Sequence, residues 1–118
     1  MSQENVATGS RIPVHSPDRA IDITNSGELR DAMLEQIDSG ARTLIVDLEA
    51  VRYVDSSGLS SLVHVATTIE KRQGHILLCG LDTSVRKVLE MTRLTEYFEI
   101  VEDLETARAR AVELDSTR

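Results

Sequence analysis

The sequence predicts an α/β domain, with a mostly parallel sheet of four to five strands and about four helices. Three observations carry that expectation. Residues 43–48 (Thr-Leu-Ile-Val-Asp-Leu) and 75–79 (His-Ile-Leu-Leu-Cys) are short apolar runs, as expected of strands buried on both faces. Other segments repeat apolar residues at three- and four-residue spacing, as a helix that buries one side does. The two patterns alternate along the chain, and alternation of strand and helix indicates parallel strands joined by helical crossovers.

The elements follow in order. Residues 11–15 read as a short edge strand, because Pro13 cannot donate to a central ladder. Ser16-Pro17-Asp18 reads as a turn. Residues 20–23 are expected to form a second short strand. Asn25 and Glu28 are spaced as a capping pair, Leu29, Ala32, Met33 and Ile37 follow at helical spacing, and Gly40 closes the helix. After the strand at 43–48, residues 49–54 lead to Val54-Asp55-Ser56-Ser57-Gly58-Leu59. Beyond Gly58, the residues Leu59, Leu62, Val63, Ala66 and Ile69 share one helical face, and Ser60, His64, Thr67 and Lys71 share the opposite one. Gln73-Gly74 ends this helix before the strand at 75–79. Asp82 or Thr83 caps a third helix carrying Val85, Val88 and Leu89. Residues 94–97 form a turn and 98–101 a last strand. Asp103 caps a closing helix with Leu104, Ala107, Ala111 and Leu114 inward.

Composition bounds the function. The 118 residues suit one domain, expected over 11–114 between an N-terminal tail at 1–10 and a C-terminal tail at 115–118. Aromatic residues make up 3%, so the core is built from aliphatic side chains. The net charge of −7 opposes binding to nucleic acid and to anionic membranes, and favours a basic protein partner. Cys79 is the single cysteine, which excludes an internal disulfide and fits a reducing, cytoplasmic compartment. No apolar run approaches the ~20 residues needed to span a bilayer, and residues 1–10 lack the apolar centre of a signal peptide.

The stretch 54–59 is the candidate site. It sets a carboxylate, two hydroxyls and a glycine at the start of a helix, where free N–H groups and the helix dipole favour an anion. Locally it reads as a cap, a nucleophile or a switch, and Ser56 or Ser57 is expected to cap the helix. The nucleophile reading fails on chemistry. A hydrolase elbow needs glycine two residues before its serine, where Val54 stands, and nothing fixes His15, His64 or His75 as a base. No phosphate-binding loop, dinucleotide fingerprint or metal-ligand spacing occurs, so no catalytic residue, metal or cofactor is expected. A phosphate on Ser56 would add roughly −1.5 to −2 charge.

With those residues in view, the chain resembles the STAS domains, and among them the single-domain anti-sigma-factor antagonists of bacteria. The resemblance covers roughly residues 21–111. Its strongest part is Leu44-Ile45-Val46-Asp47-Leu48, then Val51-Arg52-Tyr53-Val54, then Asp55-Ser56-Ser57-Gly58-Leu59. His75 to Gly80, Val85 to Leu89, Thr92 to Leu94 and Asp103 to Ala111 resemble later parts of the pattern. The chain departs from it at Arg19-Ala20-Ile21-Asp22, where the family usually carries a glycine.

The resemblance implies a regulatory partner switch, not an enzyme. It implies that a serine-kinase anti-sigma factor phosphorylates Ser56, that the unmodified protein binds this kinase and frees a sigma factor for transcription, and that a protein serine phosphatase resets the switch. Asp55, Ser57 and Gly58 are then the switch loop, and Asp22, Ser60, His64 and Thr67 the expected partner contacts. The protein is expected to be a monomer or weak dimer. The alternative within the resemblance is a STAS scaffold or accessory module that binds a transporter or another signalling complex without sigma control.

Overall fold

The computed structural model describes residues 12–116. In chain order the elements are β1 (Val14–His15), α1 (Ser26–Asp38), β2 (Thr43–Asp47), α2 (Ser56–Lys71), β3 (His75–Cys79), α3 (Thr83–Met91), a 3-10 turn (Leu94–Tyr97), β4 (Glu99–Val101) and α4 (Leu104–Ser116). The strands form one sheet in the order β1-β2-β3-β4. Every pairing is parallel, with Ile45 opposite both Val14 and Leu77, and Leu78 opposite Ile100.

Sequential parallel strands joined by right-handed crossovers put all three connecting helices on one face of the sheet. The buried side chains follow that rule. Met33 and Ile37 of α1, Leu62, Val65 and Ile69 of α2, and Val85 and Leu89 of α3 share one core with Leu44, Val46, Ile76 and Leu78. The alternate strand residues Ile45, Leu77 and Cys79 face the other way, onto Ala107 and Ala111 of α4. Both faces are therefore covered, which is why β2 and β3 read as continuous apolar runs. Small alanines let α4 lie close against the sheet.

Several expectations change. The strand expected at 20–23 is a single parallel bridge, Ile21 to Val54. The chain turns away at once because Asp22 and Asn25 form a side-chain-closed turn: Asp22 N–H donates to Asn25 Oδ1 at 2.9 Å, and Asn25 Nδ2 donates to the Ala20 carbonyl at 2.8 Å. Asn25 thus spends its amide on the preceding loop and makes no side-chain cap to α1. Ala32 is exposed, and Leu34 packs against the core beside Met33. Of the first expected strand, Val14–His15 is strand, and Arg11 lies outside the described residues, as does the expected N-terminal tail at 1–10. Helix α4 runs to Ser116, into the expected C-terminal tail, where Thr43 Oγ1 donates to Asp115 at 2.5 Å. Gly40 closes α1 at φ 105°, a backbone position that suits glycine. Among the described residues, no helix is long and apolar enough to cross a membrane.

Candidate functional site

The site is built where the Ile21–Val54 bridge meets the first turn of α2. Ile21 N–H donates to the Tyr53 carbonyl and Asp55 N–H to the Ile21 carbonyl, each at 3.0 Å. These two bonds lay residues 21–23 alongside residues 53–55. Ile21 and Val54 point into the core, at 0% and 5% exposure, and anchor the pair. Gly58 makes the close approach possible. A Cβ there would lie 2.7 Å from Val54 Cγ1 and 2.8 Å from the Ile21 carbonyl oxygen, both inside contact distance.

Asp55, and neither serine, caps the helix. Its backbone is extended (φ −88°, ψ −176°), and its Oδ1 accepts from the Gly58 N–H at 2.9 Å. Ser57 Oγ donates to the same oxygen at 2.7 Å. A carboxylate outcompetes a hydroxyl for this place because it brings a full charge to the positive end of the helix. The Ser57 hydroxyl and the Gly58 amide hold the Asp55 carboxyl below the usual carboxylate range. Asp55 is therefore ionised at neutral pH, with both bonds on Oδ1, and its lowered pKa makes it a weaker base than a free carboxylate.

Ser56 is the first residue of α2 and is exposed. Among the described residues its hydroxyl makes no hydrogen bond. Asp22 stands close by. It accepts from the Thr24 amide at 2.9 Å and from the Thr24 hydroxyl at 2.5 Å, contacts that hold its carboxyl below the usual range. The Asp55 charge opposes that effect, which marks the two carboxylates as electrostatic neighbours. Ser60 and His64 follow Ser56 at four-residue steps and are exposed on the same side of α2. Thr67 continues the stripe, half-buried, with its hydroxyl donating to the His64 carbonyl at 3.0 Å. The structure thus brings Asp55, Ser57 and Gly58 together beside Ser56, with Asp22 near Asp55, and carries Ser60, His64 and Thr67 away along one helix.

Two neighbours of the site escaped the sequence reading. Ile23 and Tyr53, at 76% and 59% exposure, are large apolar side chains on the two segments of the bridge. The Asp22-Ile23-Thr24-Asn25 turn chemistry was the available signal: a turn closed by Asp and Asn lifts the residue between them off the core. Behind the site, Arg52 lies 3.8 Å from Asp82, and Ser84 Oγ donates to the Arg52 carbonyl at 3.0 Å, tying the connector to α3.

Other chemistry is weak. The buried Cys79 thiol is pushed up to about 11 by desolvation, with Asp47 adding to the rise, so it stays protonated at neutral pH. Among the described residues no group of three His, Cys, Asp or Glu side chains is arranged to hold a metal ion.

Comparison with known proteins gives the family and the fold. The STAS domain family model matches residues 5–107. The chain is 30% identical over 89 residues to BtrV of Bordetella bronchiseptica, covering 75% of this chain and 77% of that one. It is 31% identical over 81 residues to the anti-sigma-B factor antagonist of Listeria monocytogenes, covering 68% and 70%. In fold it is similar to the anti-sigma factor antagonist SpoIIAA in its unphosphorylated form, with a TM-score of 0.68 at 20% identity over 85% of this chain and 87% of that one. SpoIIAA in the phosphorylated form gives 0.67 at 21% identity, over 84% and 88%. The STAS domain of a SulP transporter from Vibrio cholerae gives 0.74 at 16% identity, over 96% and 94%.

Proposed function

The chain belongs to the STAS domain family, and from that premise we propose that it is an anti-sigma-factor antagonist switched by phosphorylation of Ser56. A serine-kinase anti-sigma factor binds the unmodified protein and releases its sigma factor to transcription. Phosphorylation of Ser56 ends that binding, and a protein serine phosphatase restores it. The protein acts by binding and not as an enzyme. It takes no cofactor, contacts neither nucleic acid nor membrane, and works in the cytoplasm as a monomer or weak dimer.

The observation that carries this reading is the state of Ser56. Its hydroxyl is exposed and unbonded, on the first residue of a helix whose end is already capped by Asp55. A phosphate there finds one of the helix-end amides, the Gly58 N–H, already taken by Asp55. It also meets two ionised carboxylates, Asp22 and Asp55. The dianion therefore projects outward, and its main effect falls on a docked surface that matched two negative charges and now faces about four. A loss of about 2.7 kcal/mol lowers affinity roughly 100-fold, enough to end a partnership.

Incubation of the protein with the candidate kinase and ATP, with the modified residue mapped by mass spectrometry, tests the reading. Phosphate on Ser56 and none on Ser56→Ala supports it; phosphate elsewhere alone, or none, refutes it. The likeness in fold to a transporter STAS domain favours a second reading, a scaffold that binds a transporter or other complex without sigma control. A scaffold binds its partner equally well as Ser56→Asp, and the switch does not.

A further inference from the structure

The turn before α1 presents an isoleucine to solvent in a fixed pose. Ile21 is fully buried, and two residues later Ile23 is 76% exposed. The turn that carries it is closed on both sides by the Asp22–Thr24 and Asn25–Ala20 bonds, and by Asn25 and Ser26 amides donating to the Asp22 carbonyl at 3.1 and 2.8 Å. The Ile21–Val54 bridge, with Asp55 N–H donating to the Ile21 carbonyl at 3.0 Å, sets this turn against the start of α2. The side chain is thus held beside the residue that precedes Ser56. On the other segment of the same bridge stands exposed Tyr53.

We propose that Ile23 is the apolar anchor of the surface on which the serine-kinase anti-sigma factor docks; this rests on the reading of Ser56 as that kinase's phosphoacceptor. A protein interface is an apolar centre with a polar rim, and a few rigid side chains dominate its energy. Here the rim is acidic, formed by Asp22 and Asp55, with the Ser56 and Ser60 hydroxyls alongside. The matching partner surface is an apolar pocket edged by basic side chains. Charge complementarity favours such a partner over a second copy of this chain, which would set Asp22 and Asp55 against their own kind and carries a net charge of −7. The pre-formed turn leaves little ordering to be done on docking, which strengthens the contact. The other exposed apolar residues, Met91, Tyr97 and Val112, stand apart from this bridge; Val112 is on α4, across the sheet.

The test uses the purified kinase that modifies Ser56, with Ile23→Val, Ile23→Ala and Ile23→Ser beside wild type, and Val112→Ser as a control at an exposed apolar residue on α4. Affinity is measured by calorimetry, with thermal unfolding and sedimentation run on each variant. Binding is expected to weaken in the order of apolar area removed, reaching roughly 10- to 100-fold for Ile23→Ser. The unfolding midpoint stays unchanged, and Val112→Ser binds as wild type. In the kinase reaction KM rises for Ile23→Ser while kcat holds, as loss of uniform binding requires. Wild-type affinity in Ile23→Ser, with Ser56→Asp unable to bind, overturns the anchor and leaves the Ser56 reading intact. A change in self-association alone assigns the patch to a second copy and also overturns it. If wild type neither binds the kinase nor is modified on Ser56, the reading itself falls and the anchor with it.

Discussion

At the residue scale, the site depends on what Gly58 lacks. Its absent Cβ lets the first turn of α2 sit on the Ile21–Val54 bridge. Gly58→Ala gains up to about 1 kcal/mol of helix propensity, but the new Cβ meets the Ile21 carbonyl, which is backbone and cannot swing aside. The clash wins, and a net loss of about 1–3 kcal/mol is expected, read by urea unfolding. Ile21→Ala removes the buried side chain under the bridge and is expected to cost about 2–5 kcal/mol. In both variants the Ser56 segment is expected to exchange its amide hydrogens faster than in wild type. The Asp-Ser-Ser-Gly string was legible in sequence, but the division of labour inside it was not. Asp55, Ser56 and Ser57 are all good N-cap residues by type. Only the course of the chain puts Asp55 in extended backbone one residue before the helix and leaves the Ser56 hydroxyl without a hydrogen bond among the described residues.

At the scale of the element, α2 joins the candidate site to the core. One face carries Leu62, Val65, Ala66 and Ile69 inward; the other carries Ser56, Ser60 and His64 to solvent. Its N-terminus is fixed by the Asp55 cap. Asp55→Ala is expected to lower the thermal midpoint and fray the first turn, and Asp55→Asn, which keeps the accepting oxygen, to do so less. The acid limb follows from the same cap. Because the native carboxyl lies below its ordinary value, the cap's stabilisation is present above about pH 4 and is lost as pH falls through the native pKa. The far end of α2 is equally tight: a Cβ on Gly74 would lie 2.4 Å from the Arg42 carbonyl oxygen. Gly74→Ala is expected to destabilise by about 1–3 kcal/mol, read by the same unfolding assay. The helix and both of its neighbouring strands were plain in the sequence because their periodicities are long and uninterrupted. The segment at 20–25 was not, because its three-dimensional role comes from one bridge to Val54, more than 30 residues away, and from turn bonds that override strand propensity.

The whole molecule is a four-stranded parallel sheet with three helices on one face and α4 on the other. The candidate site lies where the Ile21–Val54 bridge meets the first turn of α2. His15 on the edge strand β1 gives the fold a pH dependence. Its Nε2 is buried with no hydrogen-bond partner among the described residues, and burial lowers its pKa below the ordinary 6.5. The native state therefore resists a proton that the unfolded chain accepts. Stability is full above about pH 6.5 and declines as pH falls from there toward the native pKa. Urea unfolding of wild type at pH 7.5 and 5.5 is expected to show this loss, and His15→Phe to flatten it. The alternating fold class was legible because parallel strands covered on both faces must be apolar throughout. The proposed partner surface was not, since an exposed isoleucine and an exposed tyrosine carry no periodic signal.

The central claim is that one phosphate on Ser56 ends one partnership. The affinity of the serine-kinase anti-sigma factor for this protein, measured before and after stoichiometric phosphorylation of Ser56, addresses it most directly. A drop of roughly 100-fold or more, with the fold unchanged by circular dichroism and the loss reversed by a phosphatase, is the predicted result. Equal affinity of the two forms would contradict it.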